Sequence, residues 1–196
     1  MNQQEALIEL VNQSEQSAKL RKAVAQQLGQ TMLEFAGIMT GVIGSGGKIM
    51  IAGNGGSASM ASHFATELIV RLSSARNRQS LPAVSLAADT GVLTAGGNDY
   101  GFESIFSRQV EGLGTRGDLL IVMSTSGNSD NLVKAVQAAN QKQVITGALL
   151  GGDGGQLTRM VEKALIIPHT STQRIQEEHL FLVHQLVEMV ERDLFA

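Results

Sequence analysis

From Gln3 to about Val42, apolar side chains recur at three- and four-residue steps, among them Leu7, Leu10, Val11, Leu20, Val24, Leu28, Met32, Phe35, Ile38 and Met39. This spacing predicts amphipathic helix, read as two helices, closed by the glycine-rich stretch from Gly41 to Gly47. Beyond it the pattern changes to short apolar runs that end in small or polar residues: KIMIAG, AVSLA, DLLIVMSTSG, VITGALLGG and KALIIP. None alternates with polar residues, as expected of strands buried on both faces of a parallel sheet. Helical patterns separate them over about 58–73, 101–114, 130–142 and 155–161, and a long one runs from about Thr172 to Leu194. The alternation predicts a layered α/β fold.

The chain has 196 residues and two prolines, Pro82 and Pro168, each beside a predicted strand. No composition break marks a second domain, so residues 1–196 are read as one unit, with 1–44 as a helical extension and 45–196 as the α/β core and C-terminal helix. A hydrophobic content of 43% excludes wholesale disorder. The formal net charge of -3 offers no general attraction for nucleic acid. With no cysteine there is neither a disulfide nor a thiolate metal site, and any transition metal must use His, carboxylate or amide ligands. The opening MNQQEALIEL lacks the order of a secretory signal, and no apolar run is long enough to span a bilayer. A cytoplasmic protein without a membrane partner is expected.

Two of the strands run into loops of the same kind. The first offers Asn54, Gly55, Gly56 and Ser57, and the second Ser124, Thr125, Ser126, Gly127, Asn128 and Ser129. Gly/Ser loops feeding helix N-termini present backbone N–H groups, hydroxyls and the positive end of a helix dipole, all suited to phosphate. Either loop alone is equally a plain helix start with a Ser or Asn cap; two at the carboxyl edge of one parallel sheet favour a ligand. Gly53 to Ala58 fits the dinucleotide pattern G-x-G-x-x-A, but Asp89 lies 36 residues beyond Gly53, where that fingerprint expects an acid about 20 residues on. No P-loop lysine motif exists. A small phosphorylated metabolite fits better than a nucleotide.

On the helix after the first loop, His63 and Glu67 stand at i and i+4, on one face and about 6 Å apart along the axis. Alone, such a pair is an ordinary surface contact. In the last helix, RIQEEHLFLVHQLVEMVE places Gln176, Leu180 and His184 on one ladder, with Glu177, Glu178 and Glu188 expected to solvate the opposite side. His63, Glu67 and His184 would make a three-ligand zinc site with an open position, the arrangement of a catalytic site. Gln176 is a weaker ligand, about 12 Å along the helix from His184. Either the helix starts near Gln176 with its side chain bent in, or two subunits contribute, and an interfacial site is favoured. His169 and His179 are read as structural. Asn98 and Asp99, in GGNDYGF, are placed in a polar loop after a short helical stretch, as turn formers or, for Asp99, as a hydrogen bond to a sugar hydroxyl.

Taken together, GNGGS followed by HFATEL, GNDYGFESIFSRQVEGLG, GDLLIVMSTSGNS, DGG and RIQEEHLFLVH resemble, over the whole chain, the sugar isomerase (SIS) domain family and, within it, the phosphoheptose isomerases. The resemblance implies a three-layer α/β/α SIS domain with a flavodoxin-like, five-stranded parallel sheet, N-terminal helices used in oligomerisation, and a homotetramer with sites between subunits. It implies conversion of sedoheptulose 7-phosphate to D-glycero-D-manno-heptose 7-phosphate, a lipopolysaccharide precursor in heptose biosynthesis, by proton transfer through an enediol. Ser57, Ser124, Ser126 and Ser129 with the amides of Asn54, Gly55 and Gly56 would take the phosphate. Asn98, Asp99, Thr125 and Gln176 would contact the sugar. His63, Glu67, Gln176 and His184 fall on the zinc positions, with Glu67 and His184 on those of the acid and base. Many relatives carry an acid where this chain has Met60, and some carry Asp where it has Gln173.

A different class of function, a non-catalytic SIS protein binding a phosphosugar or the replication initiator protein, would not need Glu67 and His184, and both are present. A third reading is isomerisation of another phosphosugar.

Overall fold

The computed structural model describes residues 2–195. Asn2 opens the first helix, α1 (Gln3–Gly44), through a capping box: its side chain accepts from the Glu5 N–H at 2.9 Å, and the Glu5 carboxylate accepts from the Asn2 N–H at 2.8 Å. The two helices expected here are one helix of 42 residues. Gly29 and Gly37 do not break it, because a glycine inside a helix carries only a modest penalty when flanking turns are sound and no proline intervenes. The apolar periodicity becomes burial only from Val24 onward, while Leu7, Ile8, Leu10 and Val11 stay exposed.

The remaining elements are β1 (Ile49–Gly53), α2 (Gly56–Ile69), β2 (Ala83–Ser85), α3 (Thr90–Tyr100), α4 (Ser107–Leu113), β3 (Leu119–Ser124), α5 (Asp130–Gln141), β4 (Ile145–Gly151), β5 (Lys163–Ile167) and α6 (Thr172–Phe195). All five predicted strands form, in one parallel sheet of order β2-β1-β3-β4-β5. This is the flavodoxin-like order, in which the chain changes direction across the sheet between β1 and β3. Ile49 pairs with Leu119 and Gly53 with Met123, so the loops after these two strands leave the same edge side by side.

Burial on both sides explains the unbroken apolar runs. Ile49, Ile51, Leu119, Ile121 and Met123 face a core shared with α1, α2 and α6, whereas Met50, Ala52, Leu120 and Val122 face one shared with α4 and α5. The result is a three-layer α/β/α sandwich. At the opposite edge, buried Asp118 accepts from the Lys48 backbone at 2.9 Å, the Lys48 ammonium at 2.6 Å and the Thr115 N–H at 2.8 Å.

The short helical stretch expected before Asn98 is α3, which extends through Asn98 and Asp99 to Tyr100. TAGG carries two glycines, and none of the helix is buried, so no apolar stripe announces its extent. Asp89, too far along the chain to be the acid of a dinucleotide fingerprint, is its N-cap and accepts from the Val92 N–H at 3.0 Å. The helix expected over 101–114 is split into a 3-10 turn at Phe102–Ser104 and α4, and that over 155–161 is only a 3-10 turn at Gln156–Arg159. Glu178 does not solvate α6: it is fully buried and paired with Arg21 of α1 at 3.1 Å.

Candidate active site

A cleft of about 300 Å³ opens where the sheet order reverses. Asn54, Gly55, Gly56 and Ser57 line one wall, Met123, Ser124, Thr125, Ser126 and Ser129 another, and Thr172 and Gln176 of α6 close it. The backbone dictates much of this composition. Gly55 has φ +55, a left-handed conformation that favours glycine. A Cβ on Gly56 would stand 2.7 Å from the Gln176 amide, so the loop and α6 approach to within a side chain's width.

The helices entering the cleft start without side-chain caps. α1 and α3 are capped by Asn2 and Asp89, but Gly55 and Ser129, the N-cap residues of α2 and α5, make no side-chain cap bond. The Ser57, Ala58 and Leu132 N–H groups turn back onto loop carbonyls, which leaves those of Gly56, Asp130 and Asn131 for an anion, alongside the Ser129 hydroxyl. No lysine or arginine lines the cleft, so an anion would be held by neutral amides and hydroxyls. Ser124 also shapes its loop, its hydroxyl accepting from the Gly127 N–H at 3.0 Å.

One residue central to this arrangement escaped the sequence reading. Asn131, buried in the first turn of α5, exchanges two amide hydrogen bonds with Asn54, both 2.8 Å. The pair locks the two loops together. Its only signal in the sequence was a poor helix former at a position the helix buries. Thr172 was missed as well, since nothing marks a helix-start threonine as cleft-lining.

Further along α2 the ionisable residues converge. His63 Nε2 lies 2.9 Å from His184 Nε2 and 3.5 Å from Glu67 Oε1, and one ligand atom from each of the three residues falls within 4.8 Å of the others. Two imidazole nitrogens and a carboxylate oxygen converging in this way suit zinc. All three residues come from one chain, so the cluster forms without a residue from a neighbouring subunit.

Gln176 and His184 face successive stretches of α2 because α2 and α6 run side by side in the same direction. Gln176 meets Gly56 at the cleft, His184 meets His63 a little under two turns further on, and Glu191 accepts from the Leu72 N–H just beyond the end of α2. The last two contacts join positions 121 and 119 residues apart, a nearly constant register. The amide of Gln176 is thus held at the cleft, eight residues before His184.

Asn98 and Asp99 do not lie in a loop or in this cleft. They occupy the last turn of α3, exposed, with the Asn98 amide donating to Asp99 at 2.7 Å. The two remaining histidines are structural. His169 accepts from the Ser171 N–H at 2.9 Å; His179 is fully buried, its Nε2 lies 3.0 Å from the Leu150 carbonyl, and burial depresses its pKa to about 4.

A SIS domain model matches residues 14–151. A phosphoheptose isomerase of Pelodictyon phaeoclathratiforme is 44% identical over 179 residues, 91% of this chain and 85% of that protein, and one of Geobacter metallireducens is 42% identical over 95% and 98%. The solved phosphoheptose isomerase of Neisseria gonorrhoeae superposes with a TM-score of 0.90 at 37% identity, covering 95% of this chain and 99% of that one. That of Francisella tularensis gives 0.89 at 33%, covering 98% and 100%. With the two-loop cleft and the histidine–glutamate cluster already in place, these likenesses over nearly the whole length mean that the chain belongs to the phosphoheptose isomerase family of SIS-domain proteins.

Proposed function

We propose that the chain interconverts sedoheptulose 7-phosphate and D-glycero-D-manno-heptose 7-phosphate, as a cytoplasmic enzyme supplying heptose for lipopolysaccharide precursors. One observation carries the assignment of roles: an anion cleft and an acid/base cluster are strung along one helix at a fixed separation. Ser57 and His63 are about 9 Å apart along α2 at 1.5 Å per residue. Side chains lean toward a helix N-terminus, which brings Glu67 back toward the cleft. An extended sugar of seven carbons has six C–C bonds of about 1.5 Å each, a chain of comparable reach.

With the phosphate held by the α2 and α5 N-termini and by Ser57, Ser124, Ser126 and Ser129, the far end of the sugar reaches Glu67 and His184. The Glu67 carboxylate takes a proton from C1 of the ketose, the carbonyl oxygen at C2 is protonated, and an enediol forms. Return of a proton to C2, with loss of the C1 hydroxyl proton, leaves the aldehyde, so atoms and charge balance. His184 carries the oxygen-bound protons. Thr125 and Gln176 orient the chain between the two ends.

His63, Glu67 and His184 would hold zinc, and Gln176, on the same helix as His184, is the weaker fourth candidate. Bound there, zinc would supply Lewis-acid polarisation of a sugar oxygen. Titration with Zn²⁺ is expected to give saturable binding that His63→Ala weakens by at least about tenfold, as loss of one ligand of three should. Equal affinity in the variant would exclude this ligand set.

Assembly as a homotetramer is part of the same proposal. It is supported by the exposed apolar half of α1 and by Asn98 and Asp99, whose contact with a sugar requires the cleft of a neighbouring subunit. The function is tested by incubating the protein with sedoheptulose 7-phosphate and with unphosphorylated sedoheptulose and following aldose formation. Rapid turnover of the phosphate ester alone is expected, and no product from it would contradict the proposal.

A further inference from the structure

Arg78 lies in the connection between α2 and β2, outside the cleft and outside the triad, yet its side chain is fully buried. Its guanidinium makes four hydrogen bonds. Nη2 donates to the Glu67 carbonyl at 2.7 Å, Nη1 to the carbonyls of Leu68 at 2.8 Å and Gln79 at 2.9 Å, and Nε to Glu191 Oε1 at 2.7 Å. Glu191 is itself buried on α6, and its Oε1 also accepts from the Leu72 N–H at 3.2 Å, while its backbone carbonyl accepts from Arg76 at 2.7 Å. We propose that the Arg78–Glu191 pair is a positioning device for catalysis, fixing the last turn of α2, which carries Glu67, onto α6, which carries His184.

The last carbonyls of a helix have no partner within it, and a cation there also meets the negative end of the dipole. Arg78 satisfies two of them, one belonging to Glu67 itself. A lysine cannot repeat this, because only the planar fork of arginine addresses two carbonyls and a carboxylate at once. Stability does not require the arrangement, since a buried ion pair can often be replaced by well-packed apolar residues without loss. What the pair adds is register. Glu191 is seven residues beyond His184, two turns on the same face of α6, so one rigid stretch ties Glu67 to its partner from behind. Misplacing a catalytic group by about 1 Å can lower a rate about a hundredfold.

The inference rests on the reading of Glu67 as the proton-transfer group. The test compares kcat, per folded protein by circular dichroism, and KM for sedoheptulose 7-phosphate in five proteins: wild type, Glu67→Gln, Arg78→Lys, Glu191→Gln and the double variant Arg78→Met/Glu191→Leu. Arg78→Lys and the double variant are expected to lose about ten- to a hundredfold in kcat with KM within about threefold, because the phosphate cleft sits at the other end of α2. Glu191→Gln, which keeps the acceptor, is expected to retain kcat within about threefold. Wild-type kcat in Arg78→Lys and the double variant, or a loss that only follows the fraction folded, overturns the inference. If Glu67→Gln is inactive while the Arg78 variants are not, the positioning role alone fails. If Glu67→Gln turns over normally, it is the reading of Glu67 that fails, and with it the reason for a clamp.

Discussion

The four histidines carry one side chain to three different environments. His63 and His184 meet each other beside Glu67, His169 braces a turn, and His179 is sealed in the core against Leu150. For His179 the folded pKa of about 4 lies below the ordinary value of 6.5. As pH falls through that interval the unfolded chain takes up a proton that the folded protein refuses, so stability is intact above about pH 6.5 and declines toward pH 4. The shift corresponds to about 3 kcal/mol. Urea unfolding of His179→Gln, which keeps a donor for Leu150, should show a drop in stability between pH 7 and pH 4.5 smaller than wild type by about 2 kcal/mol. Equal pH dependence would show that some other group carries it. At this scale the sequence was informative where chemistry has a spacing: His63 and Glu67 share a helix face, and a second histidine helix supplied the third member. Asn131, Arg78 and Glu191 act through contacts between distant segments, and neither their types nor their spacing distinguishes them from surface residues.

The two loop–helix junctions are built by backbone approach as much as by donors. A Cβ on Gly53 would lie 2.6 Å from the Ser57 carbonyl, so Gly53→Ala must push the loop outward. It should cost about 1–3 kcal/mol, as overpacking does, and raise KM more than it lowers kcat. Asn131→Ala leaves the Asn54 amide without its partner in a partly buried site, which should cost about 1–3 kcal/mol and likewise raise KM. Thermal melts with steady-state kinetics check both, and an unchanged KM in both would remove the phosphate role from this cleft. The strands were legible because burial on two faces writes itself as an unbroken apolar run. The full extent of helix α3 was not, because nothing in it is buried, and the unbroken length of α1 was not, because its apolar periodicity becomes burial only in the second half.

Across the whole molecule, α1 exceeds the domain it belongs to. Leu7 is 63% exposed and Val11 56%, whereas the same helix is buried from Val24 onward. The double substitution Leu7→Lys/Val11→Lys should shift the protein to smaller species in light scattering, with the helix content of each chain retained; an unchanged mass would place the assembly surface elsewhere. Among the described residues no helix is long and apolar enough to cross a membrane, so these side chains are not part of a spanning segment. The central claim is that one helix presents phosphate-binding groups at its start and Glu67 as the proton-transfer group near its end. It is tested most directly by the kcat and KM of Glu67→Gln with sedoheptulose 7-phosphate. The account predicts kcat lower by at least about a hundredfold with KM within about threefold of wild type. A variant that turns over at the wild-type rate would contradict it.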